Sequence, residues 1–471
     1  MRRSPLVLAI ALAVLPIAGA HAEDLLQTYE LARTGDAQLA GAEATQRATR
    51  EGAVQARAAL LPQIGGDASY TRSHGDSSGQ NVFGGTPLPP SDSSSDTTVK
   101  DYGLSLSQAV FDYSRISQLR SQRALSTASE FQLRSAGDTL VTRTSAAYFS
   151  VLVGIETLAA AEAQEAALKK QFDFASKRLE VGLAPITDVH EARAQYDSAR
   201  ANTIVTRNAL ADAYQALAEI TGKPIHNLKG LPGNFQPQLP EQGDVDAWVS
   251  NAIANNPALQ AQQFQLKSAE ADVQTARGGH MPTLYLNGSY GDQRSNGTST
   301  DNLDQSAVDF ANQNKSRSIG LTLRVPIFSG GATQSQVRQA LARRDLAQDQ
   351  LEQQKRALDR NTRNAYQTLV AGISEIEARR LALVSAQSAY DASQVGLEVG
   401  TRTVIDVLIN QQNLFNAQRE YARSRYNFLQ NRLLLEQAAG SLDVTDVQDV
   451  NRLLTADAES KLAPSDLTPT P

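Results

Sequence analysis

The stretch Leu179–Val189 reads LEVGLAPITDV, and Leu397–Val407, about 218 residues later, reads LEVGTRTVIDV. Each places a glycine break, Gly182 or Gly400, shortly before an aspartate, Asp188 or Asp406. Standing alone, the match would be a coincidence of composition; with matching flanks it marks one place in a duplicated architecture. Upstream stand AAYFSVLVGIETL and NAYQTLVAGISEI, and at the same offset Tyr148, Val151, Ile155 and Leu158 correspond to Tyr366, Leu369, Ile373 and Ile376. Both sets step by helical intervals that put them on one stripe, which fits a coiled-coil seam. Downstream, AEITG ends at Gly222 and EQAAG at Gly440, each glycine a natural helix terminator.

Further upstream the period changes. ARAALLPQIGGDASY ending at Tyr70 matches ARGGHMPTLYLNGSY ending at Tyr290, and YGLSLSQAVF ending at Phe111 matches IGLTLRVPIF ending at Phe328. Ile64, Gly66, Ala68 and Tyr70 alternate with Gly65, Asp67 and Ser69, while Ile319, Leu321 and Leu323 alternate with Thr322 and Arg324. That is strand periodicity. The reading is a mixed α+β chain in two structural repeats, 23–240 and 241–456. Strands are expected at about 62–73 and 98–111, then at 282–292 and 316–328. The polar stretches 74–98 and 291–315, rich in Gly, Ser, Asn and Asp, are expected as long loops. After each strand pair a helical run of about 65 to 70 residues reaches the LEVG break, and at 1.5 Å per residue it spans ~100 Å.

The chain opens MRRSPLVLAIALAVLPIAGAHA, with Arg2 and Arg3, an apolar run and small residues before Glu23. Residues 1–22 are therefore expected to be a signal peptide, too short to span a membrane, and no later segment carries such a run. Cysteine is absent, so disulfides, thiolate metal sites and an acylated N-terminal cysteine are all excluded. The 44 basic and 50 acidic residues give a net charge of −6. Without Arg2 and Arg3 the balance is 42 − 50, or −8, which argues against a nucleic-acid partner. Residues 457–471, where prolines recur from Pro464, are expected to be a disordered tail.

Strands of about 10 residues with one apolar and one polar face suit an outer-membrane barrel. Four strands per chain cannot close, and open edges do not survive in lipid. Several copies must then pool strands, which permits about 8, 12 or 16 for two, three or four copies.

The mature chain to about residue 455 resembles the TolC-type outer membrane efflux and type I secretion channels. The resemblance rests on AAYFSVL, ITDV from Ile186 followed by EARAQYDSARAN, VGTRTVIDVL from Val399, and SRYNFL from Ser424. It implies a homotrimer with a shared 12-stranded β-barrel in outer-membrane lipid, continued into the periplasm by a long α-helical barrel of coiled coils. A mixed region would use residues 223–245 and the segment after Gly440. It further implies a passive exit duct for drugs or unfolded proteins, working with a periplasmic adaptor and an inner-membrane transporter of RND or ABC type.

The repeated phrase then carries two readings. In one, Thr187 or Thr403 is an N-cap, with Asp188 and Asp406 in a first helical turn favoured by the helix dipole. In the other, which the resemblance implies, the turns form the periplasmic end of the tunnel. Asp406 corresponds to a constricting carboxylate ring, and Arg402 to a gating arginine reaching a neighbouring hairpin through Thr187 and Asp188. Two positions depart from the family pattern: a second ring aspartate is replaced by Ile409 and a gate tyrosine by Leu397. The turns Val181, Gly182 and Leu183 with Val399, Gly400 and Thr401 correspond to the region receiving adaptor hairpins. Their plainer reading is that glycine permits a tight turn.

No catalytic set is expected. His21, His74, His190, His226 and His280 are scattered, His190-Glu191 forms no His-Glu-x-x-His motif, and no glycine-rich phosphate loop is present. No metal or other cofactor is expected. The competing assignment is a periplasmic coiled-coil structural or adaptor protein without membrane insertion.

Overall fold

The computed structural model describes residues 24–80, 82–87, 91–240, 244–301 and 306–462; the expected signal peptide and residues 463–471 lie outside them. In chain order the elements are α1 (Leu25–Gly35), α2 (Ala37–Ala58), β1 (Gln63–Gly79), β2 (Val82–Phe83), β3 (Thr86–Pro87), β4 (Ser91–Phe111), α3 (Tyr113–Glu180), α4 (Ile186–Thr221), β5 (Lys229–Gly230), α5 (Val245–Asn255), α6 (Pro257–Gly278), β6 (Thr283–Asp301), β7 (Ser306–Arg324), α7 (Ala332–Glu398), α8 (Val404–Ala439), α9 (Val444–Leu453) and β8 (Ala456–Asp457). They divide into two compact units, one of residues 43–132 and 258–354, the other holding the remainder.

In the first unit a four-stranded antiparallel sheet has the order β1-β4-β6-β7, so β1 and β7 are its edges. Residues directly opposite in a ladder share a face, and the register therefore sorts the side chains. Ile64 opposes Leu106, Leu106 opposes Gly288, and Gly288 opposes Ile319. Leu284 and Leu286 oppose Leu323 and Leu321 on that same face. Tyr70, Tyr102 and Tyr290 fringe the apolar band, and beyond them the face turns to Lys100, Arg294 and Lys315. The opposite face is mostly polar, with Val99, Val308 and Phe310 among its few apolar residues: Ser107 Oγ donates to Asn287 Oδ1 at 3.2 Å, and Asn287 Nδ2 donates to Thr322 Oγ1 at 3.1 Å. In the isolated chain the apolar face is bare, with Ile319 77% and Leu321 66% exposed. A contiguous patch of that kind marks a partner or a lipid surface.

The strands are longer than their apolar alternation predicts, at 17, 21, 19 and 19 residues. Most of the two expected loops is strand: Ser77 still pairs with Ser93, and Thr300 with Ala307. Ladder hydrogen bonds come from the backbone, so Ser, Thr and Asn on both faces extend a hairpin into water where no apolar face exists to betray it. At the other end β7 stops at Arg324 rather than residue 328. Pro326 has no N–H to give a ladder, and the pairing closes two residues before it, four short of the expected end.

Helices in this unit approach closely through small residues. Ser121 and Ser268 are buried and hydrogen-bonded at 2.9 Å, and Phe131 stacks on Phe264 at 5.5 Å. A Cβ on Gly278 would lie 2.4 Å from Ser114 Oγ, so that crossing requires glycine.

The second unit holds the main core. Tyr148, Val151, Ile155 and Leu158 of α3 are fully buried, joined by Leu369 and Ile376 of α7 and by Leu429, Leu433 and Leu435 of α8. The repeat-related stripes thus meet in one core, with Tyr366 and Ile373 at its margin. By length and composition α3 passes the test for a membrane-crossing helix, contrary to expectation, but half of its apolar window is buried in the fold. Packing accounts for that hydrophobicity. Gly222 and Gly440 end α4 and α8 in the left-handed region, at φ 70° and 71°.

Residues 227–230 and 456–459 interlock. Tyr148 Oη donates to the Lys229 carbonyl at 2.8 Å, β5 pairs with β8, and Glu459 accepts from Asn227 N at 2.6 Å and Tyr214 Oη at 2.7 Å. The expected disordered tail therefore begins too early: residues 457–462 are ordered. Leu454, Ala458 and Leu462 bury at intervals of four, a signal masked by the surrounding Asp, Ser and Lys.

Candidate functional site

Both copies of the repeated phrase fall where a long helix reverses into a shorter one. In the second copy α7 ends at Glu398 and the chain turns through Gly400, whose φ of 79° favours glycine. The Gly396 carbonyl accepts from Thr401 N at 2.8 Å, from Arg402 N at 3.1 Å and from Thr401 Oγ1 at 3.2 Å. Thr403 then caps α8 in a reciprocal capping box: its hydroxyl accepts from Asp406 N at 3.3 Å while Asp406 Oδ2 accepts from Thr403 N at 2.9 Å. Those bonds from the Thr403 backbone and hydroxyl, with Arg402 nearby, hold the Asp406 carboxyl below its ordinary range.

The first copy is built differently. Gly182 has φ 74°, and Leu183 N donates to the Arg178 carbonyl at 2.7 Å. Arg178 Nη2 reaches back to the Leu183 carbonyl at 3.3 Å. The N-cap of α4 is Pro185, with no side-chain cap, so the capping reading holds for Thr403 and fails for Thr187. Thr187 sits inside the first turn instead, as its second residue. Asp188 lies in that turn, 3.5 Å from the Thr187 hydroxyl.

The two turns belong to one unit, and a small cluster of Leu168, Ala199 and Leu408 ties the helices behind them, flanked by Tyr196 and Val404. Phe172 stacks on Tyr196 at 6.3 Å. The tips themselves are apolar and bare: Val181, Leu183, Ile186, Val399, Ile405 and Ile409 are exposed. Among the described residues Arg402 and Asp188 form no ion pair within the chain; Asp188 meets Thr187, and the Arg402 backbone meets Gly396. Asp406 is brought together with Thr403 and Arg402 instead. Sequence reasoning missed Gly396 and Arg178, which anchor the two turns. A glycine in a helical run, costing roughly 1 kcal/mol against alanine, was the available signal for the first.

The turns, helices and sheet can now be set beside known proteins. Residues 28–223 and 248–441 match the outer membrane efflux protein family, one match in each repeat. The chain belongs to the outer membrane efflux protein family. Within that family it is 35% identical to outer membrane protein TolC of Escherichia coli strain K12 over 92% of this chain and 86% of that protein. It is 29% identical to the alkaline protease secretion protein AprF of Pseudomonas aeruginosa over 91% of this chain and 87% of that one. In fold it is similar to the outer membrane protein VceC of Vibrio cholerae, with TM-score 0.69 at 20% identity, covering 88% of this chain and 96% of that one. This family member is an outer-membrane protein with a periplasmic extension, and the channel assignment is favoured over a membrane-free periplasmic coiled coil.

Proposed function

We propose that three copies of the chain pool their strands into one twelve-stranded barrel and serve as a passive exit duct across the outer membrane. The observation that carries this reading is the sheet: one face is apolar and bare, and the outer edges of β1 and β7 have no neighbouring strand among the described residues. A sheet in lipid must close, because no water is present to satisfy its edge groups. Four strands are too few, and three copies supply a number within the range of known barrels.

The helix turns form the periplasmic entrance. Three copies of Asp406 converge there as a ring of carboxylates, and Arg402 of one tip, which lies near its own Asp406 but forms no ion pair within its chain among the described residues, reaches Thr187 and Asp188 of a neighbouring hairpin. The bare tips Val181–Leu183 and Val399–Thr401 receive the hairpins of a periplasmic adaptor, which recruits an inner-membrane transporter of RND or ABC type. That transporter supplies energy and selects the cargo, drugs or unfolded proteins.

Conductance in planar bilayers tests the duct. The full chain should form pores of low resting conductance, and Arg402→Ser should raise it by removing an attraction while leaving the carboxylate repulsion. Pores of wild-type conductance in that variant would remove Arg402 from the gate.

A further inference from the structure

The two turns share a phrase but differ where the long helix ends. At the position equivalent by the offset of 218, the first repeat has Arg178 and the second has Gly396. Opposite them, the first repeat has Ala184 and the second has Arg402. One repeat therefore carries its arginine on the helix, and the other carries it on the returning strand of the turn. In the first, Arg178 crosses to the Leu183 carbonyl at 3.3 Å and is spent within its own turn. In the second, Arg402 crosses to the helix through its backbone N–H, and its guanidinium, near Asp406, makes no hydrogen bond or ion pair among the described residues.

Gly396 makes this second arrangement possible. It is buried within α7, where glycine is a poorer helix former than alanine. It has no positive φ to require the residue, unlike Gly400. Space requires it instead: a Cβ at 396 would lie 2.7 Å from Arg402 Cγ, 3.2 Å from Arg402 Cβ and 3.3 Å from Thr401 Oγ1. The atoms met are the base of the Arg402 side chain, so the clash cannot be relieved by swinging its far end. The Gly396 carbonyl meanwhile fixes the Arg402 backbone through the 3.1 Å bond from its N–H.

We infer that Gly396 is a positioning residue for the gate: it is the bare helix surface on which the Arg402 stem is laid, which sets the direction in which the guanidinium leaves the tip. The inference rests on the gating role proposed for Arg402, and Gly396 acts only through that side chain. Alanine at 396 must push the stem off α7 while improving the helix itself.

Two measurements on the full-length protein test it. Because the chain has no cysteine, Arg402→Cys supplies a single site for a nitroxide label, whose mobility is read with Gly396 and with Gly396→Ala in the same background. The inference expects a restrained label beside glycine and a freed one beside alanine; equal mobility overturns it whatever the channel does. Planar-bilayer conductance then reads the gate. Gly396→Ala should raise resting conductance several-fold toward the Arg402→Ser level, with no loss of melting temperature, and the double variant should match Arg402→Ser alone. If Arg402→Ser opens the pore while Gly396→Ala conducts like wild type, or if the two effects multiply, Gly396 does not work through Arg402. If Arg402→Ser changes nothing but the label is freed, positioning stands and the gate reading falls.

Discussion

Asp406 serves two ends at once, and the bonds that cap α8 also keep its carboxylate charged. Thr403 and Arg402 depress its proton affinity within the chain, while in the proposed ring the repulsion of neighbouring carboxylates opposes them. Hard cations with oxygen ligands suit converging carboxylates. Divalent or trivalent ions on the periplasmic side should block conductance, and Asp406→Ala should weaken that block. A full block in Asp406→Ala would leave Asp406 a helix cap alone. Glu436 shows the opposite case. Burial and the neighbouring Asp446 push its carboxyl up to about 7, against the pull of Arg432, while Asp443 and Asp449 add further negative charge around Asp446 and Arg432. The folded chain holds that proton between about 4.5 and about 7, so its stability falls as pH rises through the window. Glu436→Gln should remove this slope and stabilise the protein at pH 8 by roughly 1–3 kcal/mol, read by denaturation at pH 5 and pH 8. At this scale Thr403 and Asp406 were legible as a cap, because capping chemistry is local. Gly396 was not, because its constraint is a neighbour's side chain across a turn.

The helices and strands show where a pattern announces an element and where it does not. The stripe from Tyr148 to Leu158 was legible because a coiled-coil seam repeats its apolar residues, and it is the centre of the core. The lower strands were legible because one face meets an apolar medium. The upper strands were hidden, since pairing through Ser, Thr and Asn needs only backbone groups and leaves no hydrophobic period. Leu321→Arg tests the face assignment: near mid-membrane it should cost about 2–4 kcal/mol and lower the yield of assembled protein. Normal assembly of that variant would shift the strand register or remove the sheet from lipid. The interlock of β5 and β8 was hidden for a different reason, because two-residue strands carry no period at all. It makes its own prediction: Leu454→Ala, at a position 2% exposed, should destabilise the chain by about 2–4 kcal/mol. Thermal unfolding unchanged from wild type would mean that the C-terminal segment is not part of the core.

For the whole molecule the decisive fact is an unfinished sheet. In each chain this sheet has four strands, an apolar face and two edges with no neighbouring strand among the described residues, and each repeat supplies one hairpin to it, β1 with β4 and β6 with β7. The duplication therefore doubles the strands without closing them, and the helix turns that follow inherit the symmetry of whatever closes the sheet. A ring of Asp406, an Arg402 reaching a neighbouring hairpin and a docking rim of bare tips all depend on copies arranged about one axis. Counting the copies tests them together. The mass of the detergent-purified protein, with the detergent contribution subtracted, should correspond to three chains, and that species should be the only folded one. A stable, folded monomer of the full chain in detergent would contradict the account, because it would have to keep both edges of its sheet open in an apolar medium.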